Sequence, residues 1–175
     1  MKADAPTTLL PADEVARRVG DAARRLQPLV DDDTIAVCLL TGGLWFAADL
    51  TRALSGLGRN LPFDALWLAS YGDAKASSGK VEVRAGLQRP VAGRRVLLID
   101  EVMDSGLSLR EADRIVREAG AASVLACVFA RKPWPTPRDF EPDVVAWEAP
   151  ARFLAGYGMD VSGRWRGLPE VVALD

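Results

Sequence analysis

Three short apolar runs without polar alternation mark the predicted core of the chain. They cover residues 34–40, 95–99 and 123–130. Such runs are typical of strands that are covered on both faces, as in a parallel sheet. Apolar residues at helical spacing over 44–57 and 110–119 separate these runs. Alternation of strand and helix predicts an α/β fold with a parallel sheet flanked by helices.

The remaining segments interrupt this rhythm. An amphipathic helix is predicted within the first 30 residues, with Pro11 near its start. Residues 63–69 and 81–85 have the composition of strands, and the small, polar stretch 72–79 between them favours a mobile excursion. From Lys132 onward, prolines and tryptophans become frequent and no long helical pattern is present, which predicts a small irregular lobe.

Composition and charge narrow the chemistry. The chain has 22 Lys and Arg against 24 Asp and Glu, which does not favour a strongly cationic binder of nucleic acids or membranes. It has no His, so acid–base chemistry must fall to carboxylates, Lys, Tyr or Cys. Cys38 and Cys127 lie inside apolar runs, which predicts buried thiols. No apolar run approaches the roughly 20 residues of a membrane span, and the first residues lack a signal-like stretch, so a cytoplasmic location is expected.

Two strand ends carry the candidate chemistry, because ligands bind beyond the carboxyl ends of strands in open parallel sheets. Residues 40–43 contain two glycines before a helix, a pattern that fits an anion site or a simple tight turn. Asp100 and Glu101 follow a buried strand, where unpaired carboxylates are costly. Residues 104–108 then lead into a helix whose amides suit a phosphate. Ser108 also fits a capping box, which is compatible with phosphate binding.

Residues 96–109 resemble the phosphoribosyl-pyrophosphate signature of the type I phosphoribosyltransferases. The similarity runs from about residue 35 to the C-terminus, in the order and spacing of that family. Further stretches resemble its hypoxanthine-guanine branch, namely 40–43, 46–50, 69–72, 77–79, 132–133, 142–143, 153–160 and 166–169.

This resemblance implies the transfer of 5-phosphoribose from its 1-pyrophosphate to N9 of a 6-oxopurine, with Mg²⁺ as cofactor. It also implies the type I fold as one domain over residues 1–175. Within that domain, the core is expected at about 30–130 and a hood mainly at 131–175, with the N-terminal helix packed nearby. A homodimer or homotetramer is expected on the same basis.

The resemblance also assigns residues to the phosphoribosyl donor. Asp100 and Glu101 match the acidic pair that holds the ribose hydroxyls, directly or through metal-bound water. Asp104 matches the general base that takes a proton from the purine imidazole ring. The loop around the 5-phosphate is matched by Asp104, Ser105, Gly106, Leu107 and Ser108. The pyrophosphate contacts are matched by Thr41, Gly42 and Arg166.

The purine site is matched mainly by the C-terminal lobe. Lys132 matches the lysine that donates to the purine 6-oxo group, which disfavours adenine. Phe153 matches the ring that stacks on the purine, and Leu154 the residue whose backbone contacts its edge. Asp160 matches a further carboxylate of this lobe, which completes a metal set with Asp100 and Glu101. Out of this context, Phe153 would be ordinary core and Lys132 an ordinary surface residue.

A lid and three departures complete the comparison. Ser70 and Tyr71 open the stretch that forms a flexible lid in the family. Thr41 stands where the family commonly has Lys, and Leu107 places an apolar side chain in the phosphate loop. The acidic pair has the order Asp-Glu, where Glu-Asp or Asp-Asp is usual. None of these departures removes an essential role.

The predicted function is purine salvage on hypoxanthine and guanine, with xanthine left open. The rival hypothesis is a catalytically idle regulator that keeps the fold to sense nucleotides and binds RNA or a protein partner. The near-neutral charge argues against nucleic acid as a partner. Asp104 favours turnover, since a sensor needs no base.

Overall fold

A computed structural model describes residues 6–70 and 81–174, with only the backbone considered at residues 70 and 81. The predicted order of strands and helices along the core is confirmed. The helices are α1 (Ala12–Leu26), α2 (Leu44–Gly56) and α3 (Leu107–Glu118). The strands are β1 (Thr7–Leu10), β2 (Ile35–Leu40), β3 (Phe63–Ser70), β4 (Val81–Ala85), β5 (Arg95–Met103), β6 (Ser123–Arg131), β7 (Val144–Glu148), β8 (Leu154–Ala155) and β9 (Val171–Ala173).

The main sheet has the strand order β4-β3-β2-β5-β6-β7. Its strands are parallel except β4, which pairs with β3 in the antiparallel sense at one edge. Helices α1 and α2 pack on one face and α3 packs on the other. Ala36 and Cys38 of β2 therefore face one helical layer while Ile35 and Val37 face the opposite one. Coverage of both faces explains why the apolar runs show no alternation.

A smaller antiparallel sheet, ordered β1-β9-β8, joins the two ends of the chain. In it, Leu10 pairs with Val171 and Leu154 pairs with Ala173. The sequence patterns did not indicate β1, because a short strand whose partner lies far along the chain leaves little periodicity. The stretch 131–175 also supplies β7 to the main sheet, so it does not contribute to the hood alone.

Two boundaries differ from the sequence patterns, and both lie beside the candidate chemistry. Strand β5 continues to Met103, so Asp100 and Glu101 lie within the strand instead of after it. Helix α3 begins at Leu107, three residues before the predicted start. Its N-cap is Gly106, at φ +84° and with no side-chain cap. The expected capping role of Ser108 is therefore wrong, because Ser108 lies inside the first turn.

Other expectations concern burial. Cys38 and Cys127 are free and buried, as predicted. The apolar stripe of α1 is buried as its periodicity indicated, at Val15, Val19, Ala22, Ala23 and Leu26. No helix among the described residues combines the length and the apolar character needed to cross a bilayer.

Tyr157 attaches the loop after β8 to the main core. Its ring lies 4.7 Å from that of Phe129, measured between centroids, and its hydroxyl donates to Oδ2 of Asp49 on α2 at 2.9 Å. Burial, with the negative charge of Asp49, raises the pKa of Tyr157 above its ordinary value, so the phenol stays a donor at neutral pH. This contact fixes the position of residues 156–160 against α2.

We expect Tyr157→Phe to lower the free energy of unfolding by about 1–2 kcal/mol, because it removes one hydrogen bond to a charged acceptor and keeps the ring. Tyr157→Ala should cost about 3–5 kcal/mol, since it also leaves a cavity beside Phe129. Urea unfolding followed by circular dichroism measures both values. Asp49→Asn is the matched control, because an amide oxygen still accepts the bond. Equal losses of unfolding free energy in Tyr157→Phe and Tyr157→Ala would show that packing of the ring beside Phe129 does not contribute.

Candidate active site

A cleft of about 340 Å³ opens at the carboxyl ends of β2 and β5, beside the N-terminus of α3. Its apolar walls come from Leu39, Leu68, Met103 and Leu109. Most of the residues singled out in the sequence line this one cleft, namely Thr41, Gly42, Asp100, Glu101, Asp104, Ser105, Gly106, Leu107, Ser108, Asp160 and Arg166. The position matches the rule that ligands bind beyond the carboxyl ends of parallel strands.

The acidic pair lies at the base of this cleft. Asp100 is only 8% exposed, and its Oδ1 accepts the backbone N–H of Glu101 at 3.0 Å. Burial, reinforced by the adjacent Glu101 charge, raises the pKa of Asp100 well above its ordinary value. Burial also raises the pKa of the Cys38 thiol to about 12, and the charges of Asp100 and Glu101 add to that shift. The base of the cleft therefore favours a positively charged ligand.

The turn after β2 packs directly on the acidic pair. A Cβ atom on Gly42 would lie 1.8 Å from Oε1 of Glu101, so a larger residue there would have to displace the Glu101 carboxylate. A Cβ atom on Gly43 would lie 2.6 Å from the carbonyl oxygen of Leu39. The peptide bond between Leu40 and Thr41 is cis, and Thr41 is exposed at the cleft mouth. Gly43 is thus required by close approach of the backbone, whereas Gly42 leaves room for the Glu101 side chain.

Residues 104–108 form the opposite wall. Gly106 has a left-handed conformation that favours glycine, and its carbonyl accepts the N–H of Arg110 at 2.9 Å. The N–H of Leu107 donates to Oγ of Ser105 at 3.4 Å. The positive end of the α3 dipole therefore faces the cleft, where it favours an anion.

Lys132 reaches this wall from the end of β6. Its backbone N–H donates to the carbonyl of Met103 at 3.0 Å, which continues the pairing of β5 and β6. Its Nζ lies 3.4 Å from Oδ1 of Asp104. Asp104 is half exposed, whereas the Lys132 side chain is 18% exposed. A carboxylate and an ammonium group thus meet at the rim of the cleft.

Arg166 and Asp160 form the second ion pair of the cleft, with Nη2 of Arg166 2.7 Å from Oδ1 of Asp160. Arg166 also donates to the carbonyl of Gly158, and Asp160 accepts the N–H of Gly163 at 2.6 Å. Over residues 6–70 and 81–174, no three acidic or cysteine side chains form a group suited to a metal ion. Asp160 is therefore not clustered with Asp100 and Glu101 in this arrangement.

Comparison with known proteins identifies the family. Residues 8–162 match the family model described as phosphoribosyl transferase domain. The chain belongs to the phosphoribosyltransferase family. It is similar to the hypoxanthine-guanine phosphoribosyltransferase of Aquifex aeolicus, at 32% identity over 95% of this chain and 93% of that protein. The Bacillus subtilis protein of the same name is also 32% identical, over 99% of this chain and 96% of its own length.

Solved structures agree with this assignment. The hypoxanthine phosphoribosyltransferase of Trypanosoma cruzi, in complex with the product IMP, superposes with a TM-score of 0.86 at 25% identity. That alignment covers 100% of this chain and 96% of the other. The expected type I phosphoribosyltransferase fold is thereby confirmed.

Four further positions were expected in the site of this phosphoribosyltransferase. Phe153 is 53% exposed and does not line the cleft that the described residues form. Leu154 is buried in β8, where it pairs with Ala173. Ser70 ends β3, whereas Tyr71 and the stretch 72–79 lie outside the described residues.

One residue beside the cleft was missed by the sequence patterns. Arg138 donates from Nε to the carbonyl of Asp104 at 2.7 Å and from Nη2 to the carbonyl of Lys132. It lies among prolines in the irregular stretch between β6 and β7. No periodicity or motif distinguishes it there from a surface arginine, because its partners are main-chain atoms of distant residues.

We expect Asp100→Asn to stabilise this phosphoribosyltransferase by about 1–3 kcal/mol at pH 8, because it removes a buried charge. The folded-state pKa of Asp100 is raised, so the folded wild type binds this proton more tightly than the unfolded chain does. The wild type therefore loses stability as the pH rises from about 4 through the folded-state pKa.

The Tm difference between Asp100→Asn and wild type should consequently be small near pH 4 and reach about 3–8 °C at pH 8. Differential scanning calorimetry across that pH range measures it. Asp33→Asn is the control, because Asp33 has a 98% exposed side chain. A difference that does not depend on pH would refute the assignment of the buried charge to Asp100.

Proposed function

We propose that this chain transfers 5-phosphoribose from phosphoribosyl pyrophosphate to N9 of hypoxanthine or guanine and releases pyrophosphate. The observation that carries the proposal is the meeting of Asp104 and Lys132 at the rim of a cleft whose base is acidic and whose wall is a helix N-terminus. The names of its relatives, and the IMP complex of the Trypanosoma cruzi protein, support a 6-oxopurine as acceptor.

The phosphoribosyl donor would lie along the base of the cleft. The 5-phosphate would bind at residues 104–108, where the amides of the first α3 turn and the hydroxyls of Ser105 and Ser108 face an anion. The carboxylates of Asp100 and Glu101 would accept hydrogen bonds from the ribose hydroxyls. The pyrophosphate would then reach Thr41, Gly42 and Arg166 on the other side.

The acidic pair fits Mg²⁺, which prefers carboxylate oxygens, keeps several waters and joins them to phosphate-bearing substrates. Asp100 supports this fit, because its buried carboxylate has an adjacent like charge that a cation would offset. Asp160 fits less well as a third ligand, since Arg166 and the N–H of Gly163 already engage both of its oxygens. When bound, Mg²⁺ would neutralise charge on the pyrophosphate leaving group.

The acceptor base would lie between Asp104 and the hood. As the bond from C1′ to pyrophosphate breaks and the bond to N9 forms, Asp104 would take the proton from the purine imidazole ring. Lys132 would donate a hydrogen bond to the 6-oxo group. The 6-amino group of adenine could not accept that bond. The present partner of Lys132 is Asp104, at 3.4 Å, so purine binding would replace this ion pair. Phe153, which is exposed, would be free to stack on the purine.

Further elements of the proposal rest on the resemblance. Leu154 would contact the purine edge through its backbone, and Ser70 and Tyr71 would open the lid. Residues 1–175 would act as one domain, with α1 packed beside the hood. Assembly into a homodimer or homotetramer and a cytoplasmic location stay predictions.

The deciding experiment supplies the protein with Mg²⁺, phosphoribosyl pyrophosphate and one purine at a time, and separates the products by chromatography. We expect equal amounts of nucleoside monophosphate and pyrophosphate from hypoxanthine or guanine and none from adenine. Xanthine is the additional acceptor to test. Binding of RNA, with no nucleotide formed from any purine, would instead establish the idle regulator.

We expect Asp104→Asn to lower kcat by about 10²- to 10⁴-fold, because the amide cannot accept the proton. Binding of phosphoribosyl pyrophosphate with Mg²⁺ should change less than about threefold, since an amide is isosteric with a carboxylate. Steady-state kinetics and isothermal calorimetry measure the two effects. Asp113→Asn, on helix α3 and outside the cleft, is the control. Full turnover by Asp104→Asn would show that another group is the base.

A further inference from the structure

Arg138 connects the two residues that meet at the rim of the cleft. Its Nε donates to the carbonyl of Asp104 at 2.7 Å, and its Nη2 donates to the carbonyl of Lys132. The side chains of those residues are themselves paired, with Nζ of Lys132 3.4 Å from Oδ1 of Asp104. The guanidinium group therefore closes a ring that joins the end of β5 to the end of β6.

The Arg138 side chain is largely buried where it makes these contacts. Its side chain is only 9% exposed, although arginine is mostly a surface residue. A Cβ atom on Gly106 would lie 3.8 Å from Cδ of Arg138, an ordinary contact distance, so the loop lies next to the arginine stem. Oε1 of Glu141 lies 3.4 Å from Nη1.

The two hydrogen bonds of Arg138 use the planar, forked shape of its guanidinium group. Two donors of one guanidinium group bind two carbonyls that directly follow separate strands. A single ammonium group on a flexible stem would hold both carbonyls less firmly. Backbone carbonyls do not neutralise the charge, and Glu141 also binds Arg131 at 2.9 Å. Arg138 is thus held mainly by main-chain atoms of Asp104 and Lys132. Its loss would leave both carbonyls without this donor and would let the two residues separate.

We infer that Arg138 is a positioning residue, which sets the Asp104 carboxylate and the Lys132 ammonium at the separation that a purine acceptor needs. This inference rests on the proposed function, in which Asp104 accepts the purine proton and Lys132 binds the 6-oxo group. Arg138 acts through their backbones and is itself no proton donor or acceptor in the reaction. The groups proposed for the ribose and the pyrophosphate, at Asp100, Glu101 and Arg166, are not its hydrogen-bond partners, and within the 5-phosphate loop it binds only the Asp104 carbonyl.

We expect loss of Arg138 to change the kinetic constants for the purine and to leave the KM for phosphoribosyl pyrophosphate nearly unchanged. Arg138→Met should lower kcat/KM for hypoxanthine about 100-fold, since a misplacement of about 1 Å has that effect on rate. The loss should comprise a lower kcat and a higher KM for hypoxanthine. The KM for phosphoribosyl pyrophosphate should change less than about threefold. Arg138→Lys should recover about a tenth of the wild-type value, because an ammonium group can still bind one carbonyl.

Arg110→Met is the matched control. Arg110 binds the same irregular stretch through Oδ2 of Asp139, at 2.7 Å, but both side chains are exposed. Its kcat/KM should stay within about twofold of wild type, as is usual for exposed ion pairs. Thermal unfolding followed by circular dichroism gives the folded fraction of every variant, and all rates are expressed per folded enzyme.

Each outcome decides the inference. Unchanged kinetics per folded Arg138→Met enzyme, or equal changes in both KM values, would show a merely structural residue. Should Arg138→Met fail to fold, Arg138→Lys decides by the same comparison of the two substrates. If the wild type turns over hypoxanthine and the Arg138 variants do so equally well, only the positioning role of Arg138 is refuted. A wild type that forms no nucleotide from any 6-oxopurine overturns the proposed function and this inference with it.

Discussion

The rest of the site depends on two adjacent carboxylates held inside the end of a buried strand. Asp100 is nearly removed from water, and the next residue along β5 carries the same charge. Such an arrangement opposes folding unless nearby groups favour negative charge or a cation joins it. The fold accepts this cost where β5 meets the glycine turn after β2. Ligand chemistry at this point follows from the unsatisfied charge.

The surrounding elements interlock with that position through close backbone contacts. Gly42 lies against Glu101, and a Cβ atom on Gly158 would lie 2.2 Å from the carbonyl of Gly42. The loop of Gly158 is in turn held by Arg166 and, through Tyr157, by α2. Three parts that are distant in sequence therefore meet here, with Gly158 directly against the backbone of Gly42 and the other contacts made by side chains.

The sequence predicted the parts of this structure that repeat a local pattern. Continuous apolar runs located the covered strands, and the spacing of Val15, Val19 and Leu26 located the buried face of α1. The features that it missed are contacts between distant residues: the β1–β9 pairing, the ion pair of Arg166 with Asp160, and the bonds of Arg138 to backbone carbonyls. Helix α3 begins early because Gly106 adopts a left-handed conformation, which its loop requires and its local sequence does not reveal.

In the two ion pairs of the cleft, each cationic side chain already has a carboxylate partner before any ligand binds. Lys132 is held by Asp104 and Arg166 by Asp160, so each cation has a carboxylate partner within the cleft. A phosphate or oxo group that bound Lys132 or Arg166 would have to displace the carboxylate that is paired with that residue. The net gain from each exchange is modest, because one charge-assisted bond is broken for each one formed. In the proposed function, affinity for the anion would then come mainly from the amides of α3. In that proposal neither the Leu107 nor the Thr41 side chain would be needed, because main-chain groups would bind the anion.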